Sequence, residues 1–231
     1  MSDGKKTVVV AGATGRAGRC IVRELLNRGY SVRALLVPPF DPPDPPGLCS
    51  PGVELVEGDL TSVASLEKAV EGASFLISAI GSRKPFSKAE NDRIDNMGNQ
   101  HLARAAKAKG LAKIVVISSV GAGNSRNALS FMYKLMMSPI LRAKEKSEAF
   151  IQSFGMTYTI IRPGGYGDKE VSGQIAFGEG GKITGRVTRE QIARVCADAL
   201  ANQAMNNRTF EVVDAATVAP ERRQFVIKMQ E

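Results

Sequence analysis

The chain has no tryptophan, one histidine and three cysteines among its 231 residues, and aromatic side chains make up only 6% of it. Each shortage removes a class of function. Cys20, Cys49 and Cys196 are odd in number and lack metal-ligand spacing, which points to reduced thiols rather than a disulfide framework or a zinc site. Any histidine-based catalysis would rest on His101 alone, and this residue sits in a helical pattern (Asn-Gln-His-Leu-Ala-Arg-Ala-Ala) that reads as helix surface. No apolar run approaches the roughly 18 residues of a membrane span. The net charge is +8, yet Lys and Arg are scattered, and the densest stretches, 142–146 and 222–223, are short. Without interleaved aromatics, such a surface does not read nucleic acid. It suits an anionic cofactor or an acidic partner.

Apolar residues make up 43% of the chain, enough for one sizeable core, and the whole span 1–231 reads as a single domain. The first strand starts near residue 6, which leaves no room for a leader and makes the cytosol the expected location. A mature organellar protein, for example one of the chloroplast, would look the same once its leader was removed.

The most informative segment is Thr-Val-Val-Val-Ala-Gly-Ala-Thr-Gly-Arg-Ala-Gly, residues 7–18. An apolar, β-branched strand runs into Gly12, Gly15 and Gly18, and Ile21, Val22, Leu25 and Leu26 then share one face of a helix that stops at Gly29. A glycine turn leading into a helix N-terminus is a pyrophosphate cradle, because unpaired N–H groups and the helix dipole meet there. Gly12 would make the tight turn, Gly15 would allow close approach, and Gly18 would let the helix pack closely.

Further strands are expected at 31–37, 53–57, 75–80, 113–118, 158–161 and 209–213. Helices are expected at 62–70, 91–109, 129–154 (broken near 138–139) and 189–201. Six prolines in the nine residues 38–46 make 38–51 a loop. Strands alternating with helices specify an α/β fold: a Rossmann-type, doubly wound parallel sheet with helices on both faces. Its cofactor half would cover about 5–125, and its substrate-side region about 126–190.

The motifs Gly-Ala-Thr-Gly-Arg-Ala-Gly (12–18), Gly-Asp-Leu (58–60), Ile-Ser-Ser-Val-Gly-Ala (117–122), Ala-Lys-Glu-Lys-Ser-Glu (143–148) and Tyr-Thr-Ile-Ile-Arg-Pro-Gly-Gly (158–165) together resemble an atypical short-chain dehydrogenase/reductase. The likeness is to the NAD(P)-binding, NmrA-like branch, which includes biliverdin-IX-β/flavin reductase-like enzymes and dehydrogenase-like domains of chloroplasts. The resemblance implies that Gly12, Thr14, Gly15, Arg16, Ala17 and Gly18 form the cofactor turn. It implies that Asp59 and Leu60 hold the adenine, and that Ala79, Ile80 and Gly81 pass beside the ribose. Ser119 would orient a substrate carbonyl, Lys144 would be the active-site lysine, and Pro163 and Gly164 would face the nicotinamide. No metal is implied.

One departure bears on mechanism. The superfamily's catalytic motif is Tyr-x-x-x-Lys, and Ile140 stands four residues before Lys144. Isoleucine cannot donate a proton. Tyr133 and Tyr166 are the nearby tyrosines that could replace it.

The expected cofactor is NADP, with NAD possible. The second strand ends Leu36-Val37, without the carboxylate that accepts from a ribose 2′-hydroxyl in NAD readers. Arg16 is the first candidate for a 2′-phosphate. Arg33, which starts roughly 13 Å further back on the strand, is the second.

On the substrate side, residues 129–140 carry three methionines in an apolar stretch, and 164–185 is glycine-rich and reads as a flexible cover over a flat or hydrophobic small molecule. The implied activity is an NADPH-dependent reductase of a flavin, quinone or conjugated carbonyl. The alternative is a non-catalytic NADP(H)-binding redox sensor or scaffold with a protein partner.

Overall fold

A computed structural model describes residues 5–37 and 48–229. The proline-rich stretch 38–47, with Asp41 and Asp44, lies outside the described residues, as do the side chains of Phe131 and Tyr133.

The strands are β1 (Thr7–Ala11), β2 (Ser31–Leu36), β3 (Val53–Glu57), β4 (Phe75–Ser78), β5 (Lys113–Ile117), β6 (Tyr158–Pro163), β7 (Gly165–Tyr166), β8 (Ile175–Gly178), β9 (Arg186–Val187) and β10 (Arg208–Asp214). The helices are α1 (Arg16–Asn27), α2 (Val63–Val70), α3 (Lys88–Asn91), α4 (Asn99–Ala108), α5 (Phe131–Met136), α6 (Ser138–Ser153) and α7 (Arg189–Ala201). A π-helical turn, Asp92–Gly98, joins α3 to α4.

The main sheet runs β3-β2-β1-β4-β5-β6-β10-β8. All its neighbours are parallel except β8, which pairs antiparallel with β10. The chain winds outward from β1 to β3, then restarts at β4 on the other side of β1, so a topological switch point lies between β1 and β4. In open α/β sheets the ligand crevice lies at such a point, beyond the C-terminal strand ends.

Why the strands read as continuous apolar runs is clear from their two faces. Val8 and Val10 enter one core with Ile21, Leu25 and Val195 of α1 and α7. Val9 and Ala11 enter the other with Leu66, Leu102 and Ile151 of α2, α4 and α6. Both faces of β1 are dry, and each of these valine, leucine and isoleucine side chains contributes about 1.5–3 kcal/mol of burial. A capping box starts α7: Gln191 N–H donates to Thr188 Oγ1 at 3.1 Å, while Thr188 N–H donates to Gln191 Oε1 at 2.9 Å. Such caps stabilise by about 1 kcal/mol.

Three expectations on element boundaries change. The helix expected over 91–109 contains the π-turn. The fourth strand ends at Ser78 rather than at residue 80: Ala79 N–H still donates to the Ala11 carbonyl at 2.8 Å, and from there the chain packs against the backbone of Gly12. The glycine-rich stretch 164–185 is not a featureless cover: it supplies β7 and β8, and β7 pairs with β9.

Candidate functional site

Two clefts open along the C-terminal edge of the parallel strands. The first, of about 400 Å³, is lined by the turn after β1 (Gly12, Thr14, Gly15), the end of β2 (Leu35, Val37), Leu60, and the segment after β4 from Ala79 to Lys84. The second, of about 750 Å³, lies beyond β5 and β6 and includes Ser119, Pro163 and Gly164. Strand order therefore puts the glycine turn and the Ser119 region in sequence along one edge, as an extended dinucleotide requires.

The three glycines of the turn differ in what they need. Gly12 has φ +82°, and a Cβ there would lie 2.6 Å from the Ala79 carbonyl oxygen. At Gly18 a Cβ would be driven into the Gly12 carbonyl. Both are glycine because the turn closes on itself and on β4. Gly15 is different. Its φ of −73° and ψ of 162° suit any residue, and a Cβ would meet only the Gly12 carbonyl oxygen, at 3.2 Å. The bare position faces the first cleft, a space that a side chain would occupy.

Gly15 caps α1 with no side-chain hydrogen bond, and the first turn, which contains Arg16, Ala17 and Gly18, carries no acidic residue. Its N–H groups and the positive end of the dipole are left for an anion. These residues fit a dinucleotide's pyrophosphate. Leu60 and Val37 offer apolar walls beside it. The His101 ring nitrogen Nδ1 lies 2.7 Å from the Leu60 carbonyl and donates to it, so this half-buried histidine fixes the cleft wall. It remains part-exposed on α4, where a helix-surface residue is expected, with this one added contact.

Asp59 is exposed. Its carboxylate accepts Thr61 N–H at 2.8 Å and the Thr61 hydroxyl at 2.8 Å, bonds that hold its pKa below the usual range. It shapes the turn around Leu60 and does not line the first cleft.

Arg33 does not reach the site. Its Nε donates to Glu54 at 2.8 Å, and its NH1 donates to the Ala69 and Glu71 carbonyls at 3.1 and 2.7 Å, closing the end of α2. A pointer from strand position alone could not show these partners. Arg16 is exposed at the start of α1. Arg83 and Lys84, which the sequence reading passed over, are exposed on the first cleft's rim and form no ion pair among the described residues.

Ser119 is half-buried at the second cleft, its hydroxyl 3.0 Å from the Val120 carbonyl. Lys144 is 9% exposed on α6, and its Nζ lies 2.9 Å from Asp95 Oδ1. Neither cleft is lined by Lys144. Asp95 sits on the π-turn, fully buried, and was missed. The available signal was a run of polar residues, Asp95, Asn96 and Asn99, where helix periodicity calls for apolar ones. Tyr166 does not line the second cleft: the residue is 42% exposed, the Arg189 guanidinium stacks 4.5 Å from its ring centroid, and desolvation pushes its phenol pKa up.

Beneath the second cleft, Arg162 is buried with two carboxylates. It forks to Glu148 at 3.1 and 2.6 Å, and reaches Glu211 at 3.2 Å and Asn124 at 2.5 Å. Glu211 in turn accepts Gly181 N–H at 3.0 Å. This cluster pins the loops after β5 and β8 to β6.

Residues 12–203 match the family described as NAD(P)H-binding. An uncharacterized chloroplastic protein of Arabidopsis thaliana is 31% identical over 225 residues, covering 94% of this chain and 79% of that protein. Two solved structures share the fold. One is ChuY, an anaerobilin reductase from Escherichia coli O157:H7, with TM-score 0.76, 21% identity, and coverage of 90% of this chain and 97% of that one. The other is a short-chain dehydrogenase/reductase from Veillonella parvula in complex with NADP, with TM-score 0.74, 16% identity, and coverage of 93% and 97%.

Proposed function

The chain belongs to the NAD(P)H-binding family, and from that premise we propose that it is an NADPH-dependent reductase of a flavin, quinone or conjugated carbonyl. The observation that carries this reading is the succession of two clefts on one sheet edge, the bare glycine turn at the first and Ser119, Pro163 and Gly164 at the second. Gly12–Gly18 and the N-terminus of α1 would hold the pyrophosphate, Leu60 and Val37 the adenine end, and Ala79–Gly81 the ribose. Bound cofactor supplies the hydride, and the protein's work is alignment and exclusion of water.

NADP is favoured over NAD because Val37 leaves no carboxylate at the end of β2, and because Arg16, Arg83 and Lys84 are cationic candidates for the 2′-phosphate. The NADP bound to the Veillonella protein supports the same choice. The likeness to ChuY, an anaerobilin reductase, supports reduction of a flat, conjugated acceptor. Ser119 would orient that acceptor. Among the described residues no helix is long and apolar enough to cross a membrane. The chloroplastic relative supports an organellar setting over the cytosol.

Ile140 favours a second reading, a non-catalytic NADP(H)-binding sensor, because no proton donor stands at that position. Steady-state NADPH oxidation with riboflavin, a naphthoquinone and an aldehyde separates the two. Turnover of the first two supports the reductase, whereas tight NADPH binding without any turnover supports the sensor.

A further inference from the structure

The second cleft has a lopsided lining. Val120, Leu129, Pro163 and Val171 give it apolar walls, Ser119 and Ser130 add hydroxyls, and Arg186 is its one charged lining residue. The Arg186 backbone is fixed. Its N–H donates to Thr217 Oγ1 at 2.8 Å, and that hydroxyl sits 2.7 Å from the Asp214 carbonyl. Pairing of β9 with β7 holds the same residue from the other side, in the register Gly165 to Arg186.

The guanidinium itself is exposed, with no ion pair or hydrogen bond among the described residues. Two other arginines of this region are engaged: Arg162 is held by Glu148 and Glu211, and Arg189 lies over Tyr166, the β7 residue next to Gly165. An unneutralised guanidinium on an anchored backbone, at the mouth of an otherwise uncharged cleft, is arranged to take a planar anion in two parallel hydrogen bonds.

We infer that Arg186 recognises an anionic substituent, a carboxylate or phosphate, on the flat conjugated acceptor that the second cleft binds. The inference rests on the reductase reading of that cleft and narrows its substrate class. The acceptor's ring system lies against the apolar walls near Ser119, and its charged arm extends to the rim. Neutral acceptors bind through the walls alone.

Matched pairs of acceptors test this. FMN and riboflavin differ by one phosphate, and a linear tetrapyrrole and its dimethyl ester differ by free propionates. The wild type is expected to bind the charged member of at least one pair roughly tenfold more tightly, by KM and by fluorescence titration of the NADP⁺-loaded protein. Which pair responds tells phosphate from carboxylate. Arg186→Gln should bring the ratio close to one, and Arg186→Lys should restore part of it, while NADPH affinity stays as in the wild type.

Equal binding within both pairs overturns the proposal and leaves the reductase reading intact. So does a preference that survives Arg186→Gln, or a loss of NADPH affinity that tracks the loss of preference, which would assign Arg186 to the cofactor. If no acceptor turns over, the reductase reading fails, and the titrations still decide whether Arg186 selects anions.

Discussion

Lys144 Nζ lies 2.9 Å from Asp95 Oδ1, and the other oxygen of that carboxylate accepts Ser82 N–H at 3.0 Å. One buried aspartate thus ties α6 to the loop that follows β4 and lines the first cleft. Asn99 Nδ2 donates to the Asp95 carbonyl at 2.9 Å, and the Ser78 hydroxyl donates to Asn99 Oδ1 at 2.6 Å, so the π-turn is fastened to the end of β4 as well. Turns of this kind recur at functional sites. Removing either charge strands the other in a dry place, at a cost of about 3–5 kcal/mol. Asp95→Ala and Lys144→Met should each lose about that much in urea denaturation. The Asp95→Ala/Lys144→Met double variant should lose well under their sum. Additive losses would show that the pair does not act as a unit.

The glycine turn yields a contrast within one motif. Gly15→Val should still fold, losing about 1 kcal/mol for a β-branched residue at the N-cap of α1 whose Cβ approaches the Gly12 carbonyl to 3.2 Å. It should nevertheless lose NADPH affinity by tenfold or more, since the new side chain fills the cleft mouth. Gly12→Ala should instead lower the melting temperature without ligand, because φ is +82° and Ala79 blocks the Cβ. A Gly15→Val protein with wild-type affinity by calorimetry would remove the turn from the cofactor site.

Cofactor choice should follow the free cations of the first cleft rather than the second strand. Arg83→Ala or Arg16→Ala should narrow the NADPH over NADH preference, by about ten- to a hundredfold for the residue that meets the 2′-phosphate. Arg33→Ala should leave that ratio alone, because its guanidinium is spent on Glu54, Ala69 and Glu71. Dissociation constants for both cofactors in the three variants decide the matter.

The β1–turn–α1 unit was legible because its signals are local: an apolar run, glycine spacing, and a 3.6-residue apolar face. The doubly wound class followed from alternation alone. What escaped depends on pairing across the chain. β8 lies in a glycine-rich stretch without clear alternation, and only β10, more than thirty residues on, makes it a strand. Asp95 falls inside the expected 91–109 helix, and its partners Lys144 and Ser82 come from other elements. Arg33 pointed along a plausible strand, yet side-chain partners from α2 claimed it. His101 lies half-exposed on the expected helix, and its bond to the Leu60 carbonyl leaves no trace in sequence.

Asp214 should make the second cleft sensitive to acid. Burial opposes its ionisation, but hydrogen bonds from Ser172, Gln191 and the Val171 and Ser172 N–H groups outweigh this and hold its pKa well below the usual range. A depressed folded pKa stabilises above the unfolded value of about 4, and that stabilisation is lost as pH falls through and below it. The stability difference between wild type and Asp214→Asn should therefore be constant from about pH 7 to pH 5 and shrink below. Because Val171 lines the second cleft, acceptor KM in the Asn variant should rise at neutral pH. A pH-independent difference would mean the carboxylate is not selectively stabilised.

Reduction of a carbonyl needs a proton as well as a hydride. Ile140 cannot supply one, and Tyr166 is a poor substitute, since it stacks under Arg189 with its phenol pKa raised by burial and does not line the Ser119 cleft. Lys144 is engaged by Asp95. Reduction should therefore favour acceptors whose reduced forms draw their proton from solvent, so flavins and quinones should outrun unactivated aldehydes and ketones by orders of magnitude in kcat/KM. Tyr166→Phe should leave flavin and quinone reduction near wild type. Ser119→Ala should cost a modest factor, roughly tenfold, through lost orientation rather than lost acid catalysis. Installing tyrosine by Ile140→Tyr, four residues ahead of Lys144, should raise ketone reduction only if Asp95 releases the lysine, so the Asp95→Asn/Ile140→Tyr double variant should exceed either single change. Efficient ketone reduction by the wild type, abolished in Tyr166→Phe or Tyr133→Phe, would show that a relocated tyrosine is the acid after all.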